Sequence, residues 1–425
     1  MCLGLWLCCA MLLPTPGRGA EPPGLPQAAY PASLPPESLA RAAIAASPLT
    51  ELARLSWQGE QAQARQLRAG SYEWTAKAAI QRRIERTGSS FTERELGLER
   101  GVRWSDKVTL DNRLAEAGIA AAVSGYEDAW HEAARLLLKA WFDTAREEST
   151  VHSLAEQLTL SRQQLQVVQR RVAAGDAPRL EALLAQGELE RSEAALSMAQ
   201  LRAQALRVEF DRRYPPLKAL TGGNTAPSHP TATPDATALE QAILAENHEI
   251  ELARANTELA RLRFERSERD RRGDPTVGLR YAQERGGQEN IVGISIAIPF
   301  GGVARDTRAQ LAAIEAGKAE ARQREVLARV GYEATRAAQA VARSRQIADQ
   351  LTAAAGQART VADLTAKAYA EGETPLASLL QARRQASEAQ LAATVAQVSA
   401  EEAAARALLD AHRLWTPTPL DNRQE

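Results

Sequence analysis

The sequence predicts a mainly α protein with a membrane β component, in which long antiparallel coiled-coil helices carry four strands per chain into a barrel shared between copies. Three observations predict it. Two stretches alternate apolar with small or polar residues at a period of two, and two others run far beyond ordinary helix length without a proline. The whole plan then occurs twice, at a spacing of about 200 residues.

Composition sets the frame. Of 425 residues, 44% are hydrophobic but only 4% aromatic, which suits a thin, alanine-rich helical core better than a thick globular one. A formal net charge of -1 declares no basic face, so a nucleic-acid partner is not expected.

Residues 1–20 read as a secretory signal peptide: an apolar run from Leu3 to Leu13, broken by Pro14 and Pro16 and closed by small residues up to Ala20. All three cysteines, Cys2, Cys8 and Cys9, lie within it, so a processed chain holds neither disulfide nor thiolate metal site. No later apolar run is long enough for a spanning helix, so any crossing of a bilayer falls to strands. Residues 21–36 are rich in proline and alanine and are expected to be extended.

The first structural repeat spans 37–214. Helical periodicity starts at Glu37, is interrupted at Ser47-Pro48 and stops at Gly70. A hairpin over 71–104 follows. Tyr72, Trp74, Ala76, Ala78 and Ile80 alternate with polar neighbours, Thr87-Gly88-Ser89-Ser90 turns, and Leu96, Leu98, Val102 and Trp104 alternate on the return. Arg82 and Arg100 sit in its apolar face. The long helix 111–174 carries Leu154, Leu158, Leu165, Val168 and Val172 in a coiled-coil seam. Gly175-Asp176-Ala177-Pro178 stops it, and a return helix covers 179–213.

A linker, 215–236, leads into the second repeat, 237–414. One helix is expected over 239–272, then a hairpin over 275–300. There Val277, Leu279 and Tyr281, and beyond the Gly286-Gly287 turn Val292, Ile294, Ile296, Ile298 and Phe300, share one face. The long helix 305–370 has an expected seam of Ile347, Leu351, Ala354, Ala358, Val361 and Ala368. Gly372-Glu373-Thr374-Pro375 stops it, a return helix covers 376–414, and 415–425 is a tail.

Four strands cannot close a barrel, since about eight is the smallest usual number, and open edges are not tolerated in lipid. Several chains must therefore contribute strands to one barrel. Three would give twelve, with the helices continuing below as a second, coiled-coil barrel.

On the duplicated plan, the Ile298-Pro299-Phe300-Gly301-Gly302 end of the last strand and the G-x-x-P-L-x-x-L-L turn at Gly372 to Leu380, the chain resembles the TolC family of outer-membrane factors. The resemblance covers residues 37 to 414, and the compact length leans toward the cobalt–zinc–cadmium efflux branch. It implies a homotrimer with a twelve-stranded barrel in outer-membrane lipid and a periplasmic α-barrel. It also implies that an adaptor protein docks on that α-barrel and links it to an inner-membrane pump. The two turns become the docking tips: Ala174, Gly175 and Asp176, with Glu371, Gly372 and Glu373. Where some members narrow the aperture with aspartates, this sequence has Ser378 and Gln381, and Glu181 holds the comparable place in the first repeat. Tyr72, Trp74, Trp104, Tyr281 and Phe300 are candidate interface anchors.

The sequence offers no chemistry to compete with a passive duct. His131, His152, His229, His248 and His412 are scattered, and His131 with Glu132 and His248 with Glu249 read as surface or packing residues, so no metal, cofactor or catalytic group is assigned. The alternative function is a periplasmic coiled-coil adaptor without a barrel, for which one helical hairpin between split β-domain halves is expected. The transported substrate is not written in these residues.

Overall fold

The computed structural model describes residues 30–86, 88–218, 220 and 235–420. The signal segment and its cysteines, most of the linker and the last five residues lie outside them.

Helix α1 (Glu37–Ala45) and helix α2 (Pro48–Ala69) lead into strands β1 (Thr75–Ile84) and β2 (Ser90–Gly101). Pro48 opens α2 at a position where its missing N–H costs nothing. Helix α3 (Ser105–Ala174) then runs for 70 residues, roughly 105 Å, and α4 (Arg179–Arg213) returns along half of it. The order recurs in α5 (Ala236–Ala245), α6 (His248–Arg269), β3 (Thr276–Glu284), β4 (Glu289–Ala297), α7 (Val303–Ala370) and α8 (Leu376–Asp410).

The strands form one antiparallel sheet in the order β1-β2-β3-β4. Its register aligns Ala76, Leu98, Leu279 and Ile294 in one row and Ala78, Leu96, Tyr281 and Val292 in the next. One face is therefore apolar, and it is bare: Val292 is 74% and Ile294 77% exposed. The other face is laced with ion pairs, Lys77–Glu99 at 2.7 Å, Arg280–Glu95 at 2.9 Å, and Arg83 with both Glu93 (2.8 Å) and Glu284 (3.0 Å). A soluble sheet hides its apolar face and wets its polar one; here the apolar face has no cover among the described residues.

The helices depart from the sequence expectations at four places. The predicted helix 239–272 is two, α5 and α6, because Asn247 caps a new start by accepting from the Ile250 N–H at 3.0 Å. Helix α3 begins at Ser105 rather than 111, with Asp106 in its first turn favoured by the helix dipole. The return helix ends at Asp410 rather than 414, because His412 takes a left-handed backbone (φ +56°) and the Arg413 N–H reaches back to the Leu408 carbonyl. The buried seam of α7 is Val341, Ala348, Ala355, Ala362 and Tyr369, one position on from the expected set. Alanine at seven-residue steps lets α8 lie close, while the bulkier Ile347 and Val361 stay exposed within a single chain.

The main core lies halfway along α3, where α4 and α8 end. Trp130, Leu137, Leu138, Trp141 and Phe142 of α3 pack there against Ile44, Phe210, Leu217, Leu409 and Trp415. Trp130 donates to the Trp415 carbonyl (2.7 Å) and Trp141 to the Ser33 carbonyl (2.8 Å). The segments on either side of the two repeats are thus pinned to the middle of the long helix.

Candidate functional site

Both predicted tips stand at the same end of the molecule, opposite the sheet. Gly175 and Gly372 each have φ of +81°, the left-handed conformation that stops a helix. The two turns close identically: the Asp176 N–H reaches the Arg171 carbonyl and the Glu373 N–H the Ala368 carbonyl, both at 2.8 Å. Pro178 and Pro375 then start the return helices. Ala174, Gly175, Asp176, Glu371, Gly372 and Glu373 are all exposed, and a Cβ added at either glycine would meet nothing within 4 Å. Among the described residues nothing covers this end.

Just inside the tips the two helical hairpins are packed and bonded together. Leu165, Val168 and Ala185 of the first bury against Tyr369, Leu376 and Leu379 of the second. Glu181 is turned into this contact, where its Oε2 accepts from the Tyr369 hydroxyl at 2.7 Å. Burial first, and then the Glu181 charge, raise the Tyr369 hydroxyl above the usual tyrosine range, while the Arg171 guanidinium lies over its ring at 4.8 Å. Further back Arg384 reaches Glu188 (2.6 Å) and Arg383 reaches Gln164 (2.7 Å), again between hairpins. Ser378 and Gln381 are exposed on α8. Of the three aperture candidates, only Glu181 is tied to the other hairpin by a side-chain bond.

Sequence reasoning missed Tyr369, Arg383 and Arg384. A signal for the first exists: it is the one bulky residue ending the seven-residue alanine series. It also missed a convergence of histidines. His131 from α3, His248 from the start of α6 and His412 beyond α8 stand with ring centres 4.4–6.1 Å apart.

At the other end, a buried polar network fastens the sheet to the helices. The Lys107 ammonium is fully buried between Asp274 (2.9 Å) and Asp270 (3.0 Å), and donates to the Arg272 carbonyl. Tyr72 donates to Asp274, and Arg103 and Arg266 both hold Asp111 at 2.6 Å. Two expected interface anchors are used here instead. Tyr72 is spent on Asp274, and Trp104 donates its indole N–H to the Gly273 carbonyl under the Arg272 guanidinium. Trp74, Tyr281 and Phe300 remain exposed at the sheet. Arg100 lies over the Trp74 ring and Arg82 reaches Ser90, so the two arginines expected in the apolar face have partners near its margins; the register puts Arg94, opposite Ile80, on that face as well.

No sequence-family model matches the chain, and no curated protein does. Solved structures do match. The Campylobacter jejuni CmeC outer membrane channel superposes with a TM-score of 0.72 at 14% identity, covering 88% of this chain and 84% of that one. The outer-membrane channel OprN gives 0.76 at 15%, covering 94% and 99%. The Vibrio cholerae outer membrane protein VceC gives 0.67 at 18%, covering 89% and 95%. The match covers 88–94% of the chain, so the chain has the fold of these solved outer-membrane channel structures, the fold that the TolC-family resemblance implies.

Proposed function

We propose that the chain is one subunit of a homotrimeric outer-membrane duct, the passive exit of a tripartite efflux pump. The observation that carries this reading is the sheet. It has a bare apolar face, an ion-paired polar face, and edges at β1 and β4 without a partner among the described residues. In lipid such edges must be closed, and three copies edge to edge close twelve strands with the ion-paired face toward a watery lumen.

The two repeats, 37–214 and 237–414, then each supply one hairpin to the barrel and one helical hairpin to a periplasmic tube. The exposed tips around Gly175 and Gly372 receive the adaptor protein, through which an inner-membrane pump delivers cargo. The tube opens by separation of the hairpins that Tyr369 and Glu181 join. No reaction is catalysed, and the energy comes from the pump. A periplasmic adaptor is the weaker reading, because two helical hairpins feed one continuous sheet here rather than one hairpin flanked by β-domain halves.

Expression with the native leader, separation of outer from inner membrane, and weighing of the detergent-extracted species test the proposal. A species of three processed chains in the outer-membrane fraction is expected. A soluble periplasmic monomer overturns it.

A further inference from the structure

The histidine convergence has no role in the duct. Its centre is His248 at the first position of α6, whose Nδ1 is buried and makes no hydrogen bond. The carboxylates of Glu127 and Glu251 face that nitrogen at 3.7 and 3.8 Å, too far to be hydrogen bonds. The three ligand atoms all lie within 4.8 Å of one another. On one tetrahedral ion, with bonds of about 2.0–2.2 Å, ligand atoms stand roughly 3.4 Å apart. Each carboxylate therefore needs to approach His248 by only a few tenths of an ångström, and the two carboxylates to close on each other by at most about 1.4 Å, for the three to share one centre.

The surroundings add to the case. The His412 ring stands 4.4 Å from that of His248, edge to face, and packs the cluster on that side. Its Nε2 is likewise buried and unbonded. His131 is otherwise engaged, its Nε2 lying 3.2 Å from Asp410. Glu251 is 47% exposed, which leaves the cluster open to solvent on one side. Packing alone does not account for a buried nitrogen left unbonded between two carboxylates.

We infer that Glu127, His248 and Glu251 form a binding site for a divalent transition-metal ion of the zinc class, with solvent completing its coordination on the open side. Imidazole with carboxylate suits zinc, cobalt or nickel, whereas magnesium and calcium take oxygen ligands alone. The ion would join α3, through Glu127, to the first turn of α6, through His248 and Glu251. The site is independent of the duct reading: metal uptake by a chain found as a soluble monomer would keep the site and sink only the duct.

The test uses the full chain in its detergent-extracted native state, stripped with EDTA. Titration with Co²⁺, followed by its visible absorption, and displacement by Zn²⁺ are expected to give one site per chain. His248→Gln, which keeps bulk and polarity, should weaken binding at least about 100-fold, since even outer-shell changes cost 10–100-fold. The near-isosteric pair Glu127→Gln and Glu251→Gln should do the same. His152→Ala, at an exposed histidine paired with Glu156 on the same helix, should leave binding unchanged. Absence of a cobalt band in the wild-type chain, or a band that survives in His248→Gln and in the double glutamine variant, would overturn the site. Circular dichroism and oligomer size confirm that each variant has folded.

Discussion

The Tyr369 hydroxyl donates to Glu181 at 2.7 Å, joining the long helix of the second hairpin to the return helix of the first just behind the tips. A neutral donor on a carboxylate is worth about 1.5–3 kcal/mol. Tyr369→Phe deletes it while leaving the ring packed among Leu165, Leu376 and Leu379. Single-oligomer conductance in planar bilayers is expected to rise in Tyr369→Phe and in Glu181→Gln. The double variant should exceed the larger single effect only slightly, because both remove one bond. Unchanged conductance in all three would mean that this bond does not hold the tips together.

That bond was beyond sequence reading for a physical reason. Tyr369 and Glu181 are 188 residues apart, and only the side-by-side packing of two hairpins brings them into reach. What was legible was local. Val292, Ile294 and Ile296 declare a period of two, and Gly175 and Gly372, each with a proline three residues on, declare helix stops. The break at Asn247 escaped because the Glu246-Asn247 pair has no proline to announce it, unlike Ser47-Pro48. The seam of α7 was misplaced by one position because bulk drew attention to Ile347 and Val361, while close helix packing selected alanine. His131, His248 and His412 come from three segments, and nothing in the spacing of any one pointed to the others.

The Lys107–Asp274 pair makes the attachment of sheet to helices sensitive to mutation and to acid. Removing one partner of a buried pair leaves the other charge unpaired and costs about 3–5 kcal/mol. Lys107→Met is therefore expected to lower the heat resistance of the oligomer, followed by gel migration or tryptophan fluorescence, and adding Asp274→Asn should restore part of it.

Burial alone would raise the Asp274 carboxyl, but the hydrogen bonds and charge of Lys107, with Tyr72 and the Trp104 N–H, outweigh it and hold it below the usual range. A depressed carboxyl stabilises the fold above its unfolded value of about 3.9 and loses that contribution as pH falls through the folded value. Stability from this pair should be flat from pH 8 to about 5 and fall in stronger acid. Asp274→Asn should flatten that acid limb, and an unaltered limb would exclude Asp274 as its source.

At the tips, Gly175 and Gly372 are needed for backbone conformation rather than space. Alanine at φ +81° costs about 1–2 kcal/mol although nothing obstructs its Cβ. Asparagine, which visits that region, costs less. Hydrogen exchange is expected to quicken over 170–176 in Gly175→Ala and over 367–373 in Gly372→Ala, and to return toward wild type in the asparagine variants. Oligomer stability should not change, since the tips lie far from the sheet. Equal exchange in alanine and asparagine variants would place the cause in docking space and not in the turn.

Ile294 and Ser295 are neighbours on β4 that point to opposite faces, which makes them a sensitive probe of what each face meets. Ile294 stands in the bare row with Ala76, Leu98 and Leu279, while Ser295 pairs with Gly278 on the face that carries Arg280 and Glu95. If the bare face meets lipid, Ile294→Arg places a cation in the hydrocarbon band at a cost of about 2–4 kcal/mol per chain. In a trimer that cost falls three times on one barrel. The expected result is loss of the assembled species from the outer-membrane fraction. Ser295→Arg adds the same residue one position along and should assemble normally, because its side chain enters water, while lowering single-channel conductance for cations. A sheet that met water on both faces would tolerate both substitutions equally and would solubilise better with the arginine at 294. The sign of the difference between two adjacent positions therefore tests the orientation of the barrel wall without depending on the identity of the cargo.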